Sequence, residues 1–184
     1  MTSTTTEPTA GPSGIVLPVT AFSRAVDRFI SWVGEAASAL WLVLVLVIVI
    51  QVLARYAFST GSVAMEELQW HIYAIGFMLG LSFTEMRERN VRIDVLAERL
   101  GQRTRLWIEL IGLLLLFLPF TLFVLWSAAP FFWSSFQLNE TSAAAGGLPY
   151  RWLLKSFIIT AFALLVLVGV ARLTRVWAAL SAHR

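Results

Sequence analysis

Four long apolar stretches, at about residues 36–54, 67–83, 106–126 and 152–170, dominate this chain, and none carries a charged side chain near its middle. Each reaches the roughly 17–25 residues that cross a hydrocarbon layer about 30 Å thick. An ionisable group at the bilayer centre costs about 2.5–3.5 kcal/mol or more, so one kept there usually serves function. The pattern predicts a chain that sits in a membrane and passes no charged solute or proton through its own centre. Only 14% of the 184 residues are charged and 58% are hydrophobic, which sets the chain apart from soluble domains with about a quarter charged.

The expected fold is an all-α membrane protein: four transmembrane helices in an antiparallel bundle, plus short interfacial amphipathic helices. Residues 1–20 are rich in Thr, Ser, Pro and Gly with Glu7 as their one charge, a composition that stays disordered. They lack the basic start and apolar stretch of a secretory signal, so the first apolar run is expected to act as an uncleaved anchor. Residues 21–184 then form a single membrane domain. Over 21–33, Phe22, Val26, Phe29, Ile30 and Val33 recur at helical spacing, while Ser23, Arg24, Asp27, Arg28 and Ser31 lie elsewhere. That spacing predicts an interfacial helix, lying on the membrane or packed under the bundle.

Thirteen of the fourteen basic residues are arginine, and their placement sets orientation. With four alternating spans, Arg24, Arg28, the six arginines of loop 84–105, Arg172, Arg175 and Arg184 share one side. Arg55, Arg151 and Lys155 face the other. Both termini and the middle loop are therefore expected to be cytoplasmic. The arginines next to apolar runs suit anionic lipid headgroups rather than nucleic acid. Trp32, Trp41, Trp107 and Trp177 fall toward cytoplasmic ends, and Trp70, Trp126, Trp133 and Trp152 toward outer ends, as two interfacial belts require.

Some local features leave two uses open. Glu66 and Glu67 open the second span, where negative side chains favour a helix N-terminus. The pair equally suits a cation or a partner's arginine. Ser62 is a plausible cap, without a full capping box because residue 65 is Met. Gly76 and Gly80 form a GxxxG pattern, extended by Thr84, that permits close approach within the bundle or to another protein. In the charged loop 84–105, Ile93, Leu96, Ala97 and Leu100 form a stripe ended by Gly101. It predicts a short helix over 91–100 along the cytoplasmic surface, the other reading being a solvated loop. Pro119 is expected to kink the third span and Pro130 to mark its effective end. Pro149 suits the first turn of the fourth span, after an outer loop 134–150 broken by Gly146 and Gly147.

No catalytic set is visible, so an enzyme is not expected. Cysteine is absent, which removes disulfides, thiolate ligands and cysteine chemistry. His71 and His183 lie too far apart in the layout to share a haem. Glu109 is the carboxylate nearest a span interior, but at about one turn from the cytoplasmic end it is expected to snorkel to water. No metal or cofactor is expected in this chain. The alternative function is a stand-alone small transporter or channel, with Gln51, Gln69, His71 and Thr121 lining a neutral route.

Residues 55–100 carry a more specific pattern. Arg55-Tyr56 closes span one, Glu66-Glu67-Leu68 opens span two, and Gly80 comes late in it. A basic loop follows with Arg87, Arg89 and a 91–96 segment containing Asp94. Gly147-Leu148-Pro149-Tyr150-Arg151-Trp152 leads into span four. Over about residues 41–170 the chain resembles the small membrane subunit of tripartite ATP-independent periplasmic (TRAP) transporters. It departs at Met65, where that family often has Trp, and at Asn90, where it often has His. The resemblance implies the bacterial inner membrane and, besides lipids, two partners. One is a large multi-span TRAP membrane subunit that carries substrate by an elevator motion, with sodium at that subunit. The other is a periplasmic substrate-binding protein that delivers an organic acid. It further implies that the small subunit transports nothing and widens the fixed scaffold. On that reading Arg55, Glu66 and Glu67, and on the cytoplasmic rim Arg89 and Asp94, are candidate partner contacts. Gly76 and Gly80 are candidate helix-packing residues.

Overall fold

The computed structural model describes residues 17–59, 61–87 and 100–182, and every element among them is helical. In order they are α1 (Ala21–Phe58), α2 (Val63–Met86), α3 (Gln102–Gly112), a π-helical turn (Leu113–Phe117), α4 (Leu118–Gln137) and α5 (Arg151–Ala182). The tail over 1–16, Arg89, Asp94, His183 and the expected surface helix up to residue 99 lie outside the described residues.

Helix α1 begins at a capping box: Ser23 N–H donates to Thr20 Oγ1, and Thr20 N–H donates to Ser23 Oγ, both at 3.1 Å. It then runs unbroken for 38 residues, roughly 57 Å at 1.5 Å per residue. The separate interfacial helix expected over 21–33 is thus corrected: that segment is the first third of α1. The cause is tertiary. Val26 and Ile30 are buried against Leu164, Val168 and Ala171 of α5, which holds the segment in line with the bundle. Phe22 and Phe29, on the same expected stripe, remain half exposed.

Among the described residues, three helical runs are long and apolar enough to cross a membrane: Ala21–Phe58, Gln102–Gln137 and Arg151–Ala182. Helix α2 has 24 residues but carries Glu66, Glu67, Gln69 and His71 near its start, which lowers its apolarity. The outward faces suit lipid. Leu42, Leu53, Leu116, Phe123 and Trp126 are each largely exposed, as interiors facing water would not be.

Helix α5 is the hub, packing against α1, α2, α3 and α4. On one side Val176 and Ala179 bury Leu106, Leu110 and Leu113. On another, Gly169 lets the Phe117 ring lie where a Cβ would come within 2.7 Å of it. Helices α1 and α2 meet through Trp41 edge-on to Tyr73, with centroids 5.6 Å apart, and through Gly34 beneath Phe83.

Pro119 acts through the π-helical turn just before it. Proline has no N–H for the carbonyl four residues back. The helix widens instead, with Leu118 N–H donating to Leu113 O five residues away. Pro130 does not end the helix, contrary to expectation; α4 continues to Gln137. In an apolar setting, loss of one backbone bond costs less than exposing a whole helix end there. The end comes instead at a Schellman turn: Asn139 is left-handed (φ 44°), Glu140 N–H donates to Ser135 O and Asn139 N–H to Phe136 O, both at 3.1 Å. Pro149 precedes α5 rather than entering its first turn, with left-handed Tyr150 (φ 64°) between them.

Candidate functional site

Charge collects at the two ends of the bundle. At the end carrying both the start of α1 and the finish of α5, Arg172 is buried and its guanidinium bridges two acids. Its Nε donates to Glu109 Oε1 of α3, and its Nη1 lies 3.5 Å from Glu85 Oε1 of α2. One turn on, Arg175 Nη2 donates to Asp27 Oδ2 of α1. Thr20 and Thr174 hydroxyls meet at 3.2 Å beside them. Four helices are thereby tied by ion pairs in a region the apolar patterning left unmarked. Glu109 is the correction: its side chain is 17% exposed and pairs with Arg172 instead of snorkelling to water. The guanidinium suits this place because its planar fork serves two carboxylates at once.

The other end is held by two carboxylates. Glu67 of α2 accepts from Ser142 Oγ and, at 2.7 Å, from Leu148 N–H, clasping the 142–148 turn. Gly147 lies against the same carboxylate, where a Cβ would fall 2.9 Å from Glu67 Oε1 and 2.5 Å from Ser142 Cβ. Glu140 pairs with Lys155 of α5 and accepts from Ser135 Oγ at 2.6 Å. Its backbone carbonyl accepts from Arg151 N–H at 3.0 Å. The Lys155 hydrogen bond, then that from Ser135, hold the Glu140 carboxyl below its ordinary value.

A depressed folded value contributes stability above the unfolded carboxylate pKa and loses it as pH falls through the folded one. Amide exchange over 138–150, corrected for intrinsic rates, is therefore expected to quicken below about pH 4. Glu140→Gln should reduce that dependence, with the part due to Glu67 on Ser142 and Leu148 remaining. A loop whose protection is unchanged by acid in the unmodified chain would contradict it.

The partner-contact candidates separate by position. Arg55 and Glu66 are exposed beside the α1–α2 link, lining one shallow pocket with Ser59 and Gly61. Gln51 Nε2 reaches Glu66 Oε1 at 3.4 Å. Glu67 is engaged within the chain, as above. Arg89 and Asp94 lie outside the described residues. Gly76 is buried, with Trp41 and Leu40 at ordinary contact distance from a Cβ placed there. Gly80 faces open space, lining a groove between α1 and α2. Between α1 and α2 the tight glycine is Gly34: a Cβ there would lie 2.3 Å from Phe83 Cδ2.

Of the groups proposed for a neutral route, Gln51 and Gln69 meet, whereas Thr121 and His71 each bond within their own helix. Thr121 Oγ1 donates to its own helix at Phe117 O, 2.9 Å. Gln69 pairs with Gln51, and His71 Nδ1 donates to Glu67 O at 2.6 Å.

A sequence profile of the family described as "Tripartite ATP-independent periplasmic transporters, DctQ component" matches residues 44–179. The chain belongs to this family. In this DctQ component the matched stretch holds Glu85, Glu109, Arg172 and Arg175, whereas Asp27 and Gly34 precede it. The chain is also similar to the sialic acid TRAP transporter permease protein SiaT of Haemophilus influenzae (strain 86-028NP). The two are 23% identical over 138 residues, 75% of this chain and 21% of that protein. The chain thus spans about a fifth of the length of that relative. No solved structure matches it.

Proposed function

We propose that this DctQ component is the non-transporting small permease subunit of a TRAP transporter. It lies in the bacterial inner membrane with four spans and both termini cytoplasmic. It scaffolds a large elevator-type membrane subunit that takes up an organic acid with sodium, delivered by a periplasmic binding protein. Sodium binds at the large subunit.

The observation that carries this reading is the placement of charge. From Ser156 to Ala171 in α5, and over 110–137 in α3–α4, no residue is charged. Ion pairs bracket that stretch: Lys155 and Arg172 stand 17 positions apart, roughly 26 Å along a helix and close to the hydrocarbon thickness. Rigid pairing at both rims and an apolar middle suit a static brace. Helix α2 covers the same thickness, since Glu67 meets Leu148 at one end and Glu85 meets Arg172 at the other. It packs against both α1 and α5, which supports its place as the fourth span.

Expressed with its transporter partners and extracted in mild detergent, the full chain is expected to co-purify with a much larger membrane protein. Reconstituted alone, it should give no sodium-dependent uptake of an organic acid. A chain that stays alone with its partner present, or that transports by itself, defeats the proposal.

A further inference from the structure

Near the loop end, α2 and α4 flank α5 and leave a cleft between them. Its floor is apolar: Met78 of α2, Phe131 of α4, and Leu154 and Ile158 of α5. Its mouth is charged, with Arg151, Lys155 and Glu140. Lys155 Nζ sits 3.9 Å from the centre of the Phe131 ring while pairing with Glu140, which joins the charged rim to the apolar floor. Two cations and one carboxylate line the mouth, and the other carboxylate near Arg151, Glu67, is taken up by Ser142 Oγ and Leu148 N–H. The carboxylate at the mouth is already engaged, since Glu140 Oε2 accepts from both Lys155 and Ser135.

Depth identifies the occupant. Trp152 follows Arg151 directly and stacks edge-on to Phe136 at 5.3 Å, and Trp133 on α4 is 56% exposed. Such rings mark the headgroup level of a bilayer. The mouth is therefore at headgroup depth and the floor at acyl depth. We propose that this cleft binds an anionic diacyl phospholipid, its phosphate at Arg151 and Lys155 and one acyl chain along Met78 and Ile158. A small soluble anion has no use for the apolar floor. A partner's apolar helix seated there would desolvate two cations without compensation. An ethanolamine ammonium finds the Glu140 carboxylate already paired.

The site rests on membrane placement and not on the scaffold reading, so failure to co-purify with a large subunit leaves it standing. The test is native mass spectrometry of the full chain released from nanodiscs containing equal phosphatidylglycerol and phosphatidylethanolamine. One retained phosphatidylglycerol, in preference to phosphatidylethanolamine, is expected. Arg151→Gln should lower that retention roughly fivefold, while Arg151→Lys keeps the preference. Ile158→Trp, which fills the floor, should lose the lipid with the mouth intact. Thermal unfolding confirms that each variant is folded. Equal retention of both lipids, or retention unchanged in folded Arg151→Gln and Ile158→Trp, overturns the site. So does a Met78→Cys variant of this cysteine-free chain that cross-links to a co-purified larger subunit and carries no lipid.

Discussion

Replacing Arg172 with methionine is expected to destabilise the fold by roughly 3–5 kcal/mol, the usual cost of removing one member of a buried ion pair. The side chain is only 7% exposed, and Glu109 and Glu85 beside it are 17% and 16% exposed. Both acids lose a guanidinium without gaining water in its place. Arg172→Lys should recover part of the loss, because an ammonium serves two carboxylates on different helices less well than a planar fork. Converting the set together, Arg172→Met with Glu109→Leu and Glu85→Leu, should be near neutral, since apolar residues of similar volume often replace buried ion pairs at no net cost. Denaturing-detergent titration of the solubilised full chain, followed by circular dichroism, reads all three. An Arg172→Met variant as stable as the unmodified chain would mean that the acids reach water and the helices are not tied there.

Gly34→Ala is expected to cost about 1–3 kcal/mol, the range for forcing extra volume into a packed interface. The added methyl would meet Phe83 Cδ2 at 2.3 Å, Cγ at 2.5 Å and Cβ at 3.0 Å. The last atom matters most, because a ring can turn but its Cβ moves only with the α2 backbone. Gly80→Ala is the control. Its Cβ would meet no atom within 4 Å, so it should be neutral or gain up to about 1 kcal/mol from better helix propensity. Phe83→Ala combined with Gly34→Ala should show strong coupling in a double-mutant cycle. The same unfolding titration checks these values. Equal effects at Gly34 and Gly80 would contradict the packing described.

The membrane character, the family and the positions of the long apolar helices were legible in the sequence. Apolar run length and charge placement are local quantities, and a bilayer reads them locally. Glu67 was marked by its place at a helix start, but its use was not: the Ser142 and Leu148 groups that engage it lie 75 and 81 residues away. Glu109 is visible in the sequence but its partner is not, because one turn from a span end is compatible with water or with a neighbour's guanidinium. The one signal available was an arginine, Arg172, at the matching edge of another span.

By itself, then, the sequence determined that this chain is a helical membrane protein of the TRAP transporter family, because hydrophobic periodicity and motif residues are properties of the chain alone. Only the tertiary structure decided that α1 is continuous through residues 21–33, that Gly34 rather than Gly80 is the point of closest approach, and that Arg172 joins α2, α3 and α5. Each of these depends on which faces of distant helices meet. That is set by side-chain packing and ion pairing across the bundle, not by any spacing along one helix.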